Sequence, residues 1–381
     1  MTPGATPVPT RRAHTFPTSR AGRAAAGLRL LAGMARARLR GRPFLLSHLV
    51  TARCNASCPT CLWRDDEAAE LPTDSVVWLY HEAAAAGMTQ VVVWGGEPLL
   101  RADLPELLAA ARAVGLIVTL ITNGRLLAHR WPELRGRIDA LILSLDDTGP
   151  AHDRLRGLPG LFEQLEAAVA LLEGDPLRPK LLVNTVLSRL NPGALRRVAP
   201  VARRWGAGVY FCPMETGRRE STGFAATRAH LALSPEQIRE AARLARLLQT
   251  AGYPLLASRR YLDLLEKDPG LNTYTCRAPR AIFTVEADGA VRDCLRRDRP
   301  LAYVEQLRAR GAALAGVFAL PRFRAMLAEA EGCTTCNNPD ALEMSWLWDL
   351  DPHMLEKAWQ LVGVHVSTAA RGARSRRGSE L

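Results

Sequence analysis

The chain lacks any run of eighteen uncharged apolar residues, so no membrane-spanning helix is expected. Residues 1–20 lack the compact apolar core of a secretory signal and are rich in Pro, Thr and Arg instead, so no signal peptide is expected. Acidic residues are missing altogether from residues 1–64, which hold eleven arginines; the first carboxylate is Asp65. In residues 371–381 four more arginines stand against Glu380 alone. The formal charge of +12 therefore belongs to the two ends, and the body between them is close to neutral. This excludes a basic nucleic-acid surface on the body, while the ends are suited to an anionic partner or membrane surface. A disulfide framework is lacking too. Seven of the eight cysteines fall in two ligand-like groups and Cys212 stands alone. Grouped reduced thiols point to a cytoplasmic protein.

What is present is more specific. Cys54-Asn55-Ala56-Ser57-Cys58-Pro59-Thr60-Cys61 reads C-x3-C-x2-C. Three thiolates ligate three irons of a four-iron cluster and leave the fourth open to bind and activate a small molecule. The competing readings are buried core thiols or part of a zinc site, which needs a fourth ligand. Downstream, Gly95-Gly96-Glu97-Pro98 follows the apolar run Val91-Val92-Val93-Trp94. Thr122-Asn123-Gly124 follows a second apolar run, and Leu143-Ser144-Leu145-Asp146-Asp147 ends a third.

At these residues the chain resembles the radical S-adenosylmethionine (SAM) superfamily, over roughly residues 44–215. The resemblance implies a [4Fe–4S] cluster on Cys54, Cys58 and Cys61, with SAM chelating the open iron. It implies that Gly95, Gly96 and Glu97 receive the methionine amine, where a carboxylate beside two glycines suits an ammonium group. Ser144 is expected as a SAM contact, with Asn123 and Asp146 as candidate ribose or carboxylate contacts. His152-Asp153-Arg154-Leu155-Arg156 resembles a segment whose arginine pairs with the methionine carboxylate, which assigns that role to Arg156. Asn184 and Asn191 are weaker candidates. The chain departs from the family in having Thr60 where an aromatic residue usually precedes the third cysteine, with Trp63 as a substitute for adenine packing.

Apolar segments 45–51, 90–94, 116–121, 139–145, 181–187 and 208–213 alternate with helical patterns over 74–87, 103–114, 127–135, 160–173 and 193–205. Such alternation predicts a parallel sheet covered by helices. Six repeats predict an α/β fold: a partial (β/α)6 TIM-like barrel, with functional residues at the C-terminal strand ends. A small C-terminal α+β iron–sulfur module completes it. The expected divisions are a basic segment and amphipathic helix (1–43), the barrel (44–233), a helical linker (234–269), the auxiliary module (270–363) and a basic tail (364–381). Before the barrel, Leu28, Leu31, Ala35 and Leu39 recur at helical spacing among arginines, a basic amphipathic helix that either caps the barrel or meets a membrane.

The remaining cysteines are Cys276, Cys294, Cys333 and Cys336. The first pair encloses an alternating stretch around Asp288-Gly289, a hairpin signal, and the last pair is C-x2-C. Four thiolates saturate either one zinc or one [4Fe–4S] cluster. Their spacing resembles the shortened "twitch" form of the SPASM auxiliary-cluster domain, which implies a second [4Fe–4S] cluster with no open iron. Cys212, ending the sixth strand, reads as a small buried hydrophobe or as a thiol facing substrate.

The resemblance as a whole implies reductive cleavage of SAM, hydrogen abstraction by the 5′-deoxyadenosyl radical, and an electron donor of the flavodoxin or ferredoxin type. An auxiliary cluster that accepts the electron left on substrate makes the outcome an oxidation, such as dehydrogenation or peptide crosslinking. Peptide, small-molecule and lipid substrates all stay open. So does a non-enzymatic iron–sulfur or zinc protein, against which Gly-Gly-Glu-Pro argues.

Overall fold

The computed structural model describes residues 32–61, 63, 69–215, 228–270, 273–292, 300–333, 339–352 and 354. Its frame is a parallel sheet of β1 (Leu45–Thr51), β2 (Gln90–Gly95), β3 (Ile117–Thr122), β4 (Ala140–Ser144), β5 (Lys180–Leu187) and β6 (Gly208–Pro213). These are the six expected strands, each within two residues of its predicted bounds. They pair in sequence order, and the sheet stays open between its ends. Between them run α2 (Thr73–Ala86), α3 (Leu104–Ala113), α4 (Leu127–Leu134), α5 (Gly149–Arg156), α6 (Leu161–Glu173) and α7 (Leu195–Arg204). The helix α5 was not anticipated; it is short, opens on Gly-Pro and carries little apolar periodicity.

Alternation along the strands sorts side chains into two layers. Leu46, Val50, Val91, Val93, Val118, Leu120, Leu141 and Leu143 are buried under the helices in one continuous core. The opposite face lines the barrel lumen, where Trp94 Nε1 donates to Ser47 Oγ at 2.9 Å. Ser144, Asn184 and Tyr210 are in register across β4, β5 and β6, and Cys212 is paired with Val186 above them.

The expected linker resolves into α8 (Pro235–Thr250) and α9 (Arg259–Lys267). Helix α8 opens on a capping box formed by Ser234 and Gln237. Between the two helices, Leu255 bridges Val209 and so runs along the outer edge of β6.

The segment expected as a separate C-terminal module does not stand apart. The hairpin expected at Asp288-Gly289 forms as β7 (Ile282–Val285) and β8 (Ala290–Arg292), with Gly289 in the left-handed region at φ +82°. Strand β7 pairs in parallel with β1, so the barrel sheet continues through β7 and β8 to β9 (Ala302–Tyr303). Beyond lie α10 (Ala278–Ala281), α11 (Val304–Ala309), α12 (Pro321–Glu331) and α13 (Pro339–Trp348). Arg308 donates to Ser75 Oγ at 2.7 Å, and Glu82 accepts from Leu314 N at 2.8 Å, which fastens the module to α2. The sequence also predicts a helix over 352–362, a span that lies almost wholly outside the described residues.

The amphipathic helix is described over residues 32–40 (α1). Gly33 and Ala37 are buried, and Met34 packs with Ala37 and Phe44 at the end where the strands begin. A Cβ on Gly33 would lie 2.5 Å from the Thr89 side chain, so the helix seats closely. Ala35 and Leu39, the described members of the apolar stripe, face outward instead; Leu39 is 88% exposed. Close packing selects small residues, so the helix docks by its small face and not by its most apolar one.

Candidate functional site

Every residue of the main candidate site lies where the strands end. The cysteine loop follows β1, Gly96 and Glu97 follow β2, Asn123 follows β3, and Ser144 and Asp146 end or follow β4. Arg156 closes α5 and reaches back to the cysteine loop.

The two glycines are required by the protein's own backbone. A Cβ on Gly96 would lie 2.2 Å from the Arg53 carbonyl oxygen, and one on Gly95, at φ +150°, 2.3 Å from that of Thr51. In this close approach Gly96 N donates to Thr51 O and Glu97 N to Arg53 O, each at 2.8 Å. The Gly-Gly-Glu segment thus cradles the start of the cysteine loop. Below it, the buried Arg101 donates to Val50 O at 2.9 Å and Leu71 O at 3.1 Å, and it pairs with Asp103 at 2.6 Å. Glu70 ties Thr51 to Arg53.

The Glu97 carboxylate is fully buried. It accepts from Thr122 Oγ1 at 2.6 Å, Asn123 N at 2.8 Å and Leu99 N at 3.0 Å. Burial pushes its pKa up, and these three donors oppose the shift. A carboxylate has about four acceptor positions; two are taken by the end of β3 and one by Leu99 in the turn after β2. Asn123 Nδ2 donates to Asn55 Oδ1 at 2.7 Å, which pins the loop to the end of β3.

On the far side, Ser57 N donates to the Arg156 carbonyl at 2.9 Å, and a Cβ on Gly157 would strike Ser57 Oγ at 1.9 Å. Arg156 Nη1 lies 3.8 Å from Cys58 Sγ, and Nη2 pairs with Asp146 Oδ2 at 2.8 Å. Asp146 also accepts from Val186 N at 2.8 Å. Its own N–H donates to His152 Nδ1 at 3.2 Å, which assigns the imidazole proton to Nε2. Burial, aided by the Arg156 charge, drops the His152 pKa to about 3, so the ring stays neutral. Asn191 donates to the Asp146 carbonyl at 2.7 Å and to Val186 O at 2.9 Å, a structural engagement that uses up its amide. Ser144 and Asn184 line the lumen, as does Cys212, whose pKa is raised by burial.

Sequence reasoning missed Asn55, Arg101 and Arg228, whose partners are remote in the chain. Arg228 Nη1 donates to Pro59 O at 2.9 Å and Cys61 O at 3.0 Å, closing the last turn of the loop. Trp63, proposed from sequence for adenine packing, stands edge-to-face on Trp94 with centroids 4.9 Å apart, at the barrel mouth.

The donor set fits an iron–sulfur cluster. Backbone N–H groups of Ala56 and Trp63 point at Cys54 Sγ and Cys61 Sγ, at 3.4 and 3.3 Å. A guanidinium stands beside the third sulfur, and such contacts favour thiolate charge. Burial pushes the Cys54 thiol up to about 11, reinforced by Glu97, Cys58 and Cys61, so ligation must displace protons. No three His, Cys, Asp or Glu groups among the described residues converge on one point as ligands of a single ion would.

Residues 49–187 match the model of the radical SAM superfamily. The chain contains a radical SAM domain. A radical SAM domain implies a [4Fe–4S] cluster and SAM. The chain is 32% identical over 188 residues to an AdoMet-dependent heme synthase of Methanosarcina barkeri, covering 47% of this chain and 53% of that one. It is 36% identical over 172 residues to a PqqA peptide cyclase of Gluconobacter oxydans, covering 44% and 48%. It thus spans about half the length of these relatives. The fold resembles that of SuiB from Streptococcus suis, solved with its precursor peptide SuiA, at TM-score 0.60 and 16% identity over 78% of this chain and 71% of that one. It also resembles anSMEcpe, solved with AdoMet and the Cp18Cys peptide, at TM-score 0.55 and 15% identity over 83% and 99%.

The second cysteine group is partly in view. Cys276 is buried and Cys333 half-buried; Cys294 and Cys336 lie outside the described residues. Glu331, two residues before Cys333, pairs with Arg280 at 2.8 Å and with Arg277, the neighbour of Cys276. Arg277 N also donates to Ser345 Oγ at 2.7 Å. The hairpin leading toward Cys294 is braced by a buried Arg292–Glu286 pair at 2.5 Å.

Proposed function

We propose that this protein is a radical SAM enzyme that oxidatively modifies a peptide, assisted by one auxiliary cluster. The observation that carries the reading is the docking of the C-x3-C-x2-C loop onto Gly95-Gly96-Glu97 and Arg156 at one barrel mouth. Cys54, Cys58 and Cys61 would hold a [4Fe–4S] cluster, which with SAM supplies one-electron cleavage to a 5′-deoxyadenosyl radical and methionine. The chain's own residues bind, orient and exclude water. Gly95 and Gly96 admit close backbone approach, and Glu97 offers its remaining acceptor position to an ammonium group. Arg156 stays charged beside Asp146 and offers its guanidinium to a carboxylate. Ser144 and Asn123 stand at adjacent strand ends as polar contacts, while Trp63 and Trp94 form an apolar wall.

Cys276, Cys294, Cys333 and Cys336 would hold the second [4Fe–4S] cluster. Fully ligated, it would accept the electron remaining after hydrogen abstraction. A peptide substrate is supported by the relatives named as PqqA peptide cyclases and by the fold shared with proteins solved with peptides. We further propose a cytoplasmic location and an electron donor of the flavodoxin or ferredoxin type. The test is anaerobic reconstitution, reduction in the presence of SAM, and measurement of 5′-deoxyadenosine. Deuterium transfer from labelled candidate peptides into deoxyadenosine then identifies the substrate class. A reconstituted chain that yields no deoxyadenosine overturns the enzyme reading.

A further inference from the structure

The end of the barrel where the strands begin carries a surface with no part in this chemistry. Six large hydrophobic side chains are strongly exposed among the described residues: Leu39, Leu171, Leu177, Leu190, Leu247 and Leu350. Five of them belong to this one end. Leu39 is on α1, which packs at Phe44 just before β1. Leu171 is in the last turn of α6, and Leu177 is in the loop that leads to the start of β5. Leu247 is near the end of α8, just before Pro254, which accepts from Val209 at the start of β6. Leu350 follows α13, whose Leu347 and Trp348 pack beside Phe44 and Ala281. Only Leu190, after β5, lies at the mouth.

The charge at the same end is positive. Arg36, Arg38 and Arg40 on α1 are exposed and pair with no acid among the described residues. Arg203 and Arg204 close α7 there, Arg204 paired with Glu166 at 3.2 Å. Most acids at this end are already answered: Asp175 by Arg135, Asp351 by Arg260 and Glu331 by Arg280. Glu173 and Glu329 are exposed as well. The sequence before α1 adds five arginines and no acid.

We propose that this end of the barrel docks on an anionic lipid bilayer. The exposed leucines enter the headgroup boundary and the arginines meet lipid phosphates, the two signals together that reversible membrane attachment needs. No helix among the described residues is long and apolar enough to span a membrane, so the contact is peripheral. The geometry has a direct consequence. Strands of about six residues rise about 20 Å, so a barrel docked by this end opens its mouth away from the lipid. The membrane then anchors the protein but does not deliver substrate, and the substrate reaches the cysteine loop from water.

The test is co-sedimentation of the full chain with phosphatidylcholine vesicles, with and without about one third phosphatidylglycerol, at low and high salt. It needs neither cluster nor SAM, so its outcome is separate from that of the enzyme reading. Binding should require the anionic lipid and fall steeply with salt. Arg36→Gln, Arg38→Gln and Arg40→Gln together should lower partitioning about a hundredfold, from about 1 kcal/mol per arginine and 1.4 kcal/mol per tenfold. Leu39→Ser with Leu247→Ser should lower it about tenfold, from about 0.8 kcal/mol per buried CH2 discounted for partial insertion. Leu190→Ser, at the mouth, should bind as the unaltered chain does. Equal binding to neutral vesicles, no binding at all, or equal loss in Leu190→Ser overturns the proposal. So does light scattering that finds a dimer dispersed by Leu39→Ser, which would assign the face to a second copy.

Discussion

The two cysteine regions are held by different physics. The loop at Cys54, Cys58 and Cys61 rests on close packing and buried carboxylates: half-buried Gly95 and Gly96 pressed against backbone, a fully buried Glu97, and a buried Asp146 paired with Arg156. The second region has a buried Arg292–Glu286 pair in its hairpin, but its segments at Cys276 and Cys333 meet through Glu331, whose side chain is 41% exposed, and two arginines. Buried hydrogen-bonded contacts such as those on Glu97 preorganise a site, whereas exposed ion pairs contribute little and weaken with salt. The contrast suits the proposed roles, since the first region must orient a reacting molecule and the second need only receive an electron.

The sharpest way to break this comparison is at the ligands. Cys54→Ala, Cys58→Ala and Cys61→Ala together should remove about half of some eight irons per reconstituted chain and all deoxyadenosine formation. Retained cleavage would falsify the assignment of the first site. Next in size is the double variant Cys333→Ala, Cys336→Ala. If circular dichroism shows it folded, it should still form deoxyadenosine while oxidised product falls sharply. Product at the unaltered rate would leave the second region a structural role, with zinc as its candidate metal.

Gly96→Ala tests preorganisation of the first site without touching a ligand. Its new Cβ must displace the Arg53 carbonyl, so we expect a loss of roughly 2–4 kcal/mol in denaturant unfolding and a fall in iron content. A neutral result would mean that the loop shifts freely. Glu331→Gln is the counterpart in the second region and should cost less than about 1 kcal/mol at low salt and nothing measurable at high salt. A large, salt-insensitive loss would erase the distinction between the regions.

How much of this was legible in the sequence follows from range. The strands showed because runs such as Val91–Val93 are continuous and apolar, and the ligands showed because the motif is local. The continuation of the sheet through β7 was hidden, since nothing near Leu45 announces Ile282 as its neighbour. Arg228 and Asn55 were hidden for the same reason. The stripe Leu28, Leu31, Ala35 and Leu39 was legible as an amphipathic pattern but gave no direction. Gly33 and Ala37, which carry no hydrophobic signal of note, decide which face docks. Glu97 was found as a residue, but the three protein donors on its carboxylate come from folding and not from spacing.

Buried histidines add a pH dependence. Burial and the nearby Arg101 hold the His48 pKa near 3, and His152 is held similarly. Both folded values lie below the unfolded value of about 6.5. Their contribution is therefore complete above that pH and is lost as pH falls toward 3. Each histidine should add a slope of about 1.4 kcal/mol per pH unit in that window. His48→Gln should flatten the stability profile by one such slope, read from denaturant midpoints between pH 4 and 7. An unchanged slope would show that the ring is not buried neutral.

The pairing of β1 with β7 also sets the order in which the molecule can be born. One edge of β1 emerges from the ribosome early, yet the strand that covers it is made only after everything from residue 52 to 281. At about 5–20 residues per second, that edge stays uncovered for on the order of ten seconds or more. An open parallel edge is a template for wrong pairing. A chain cut after β6 would keep it open permanently, so the barrel without its C-terminal hairpin should be prone to self-association.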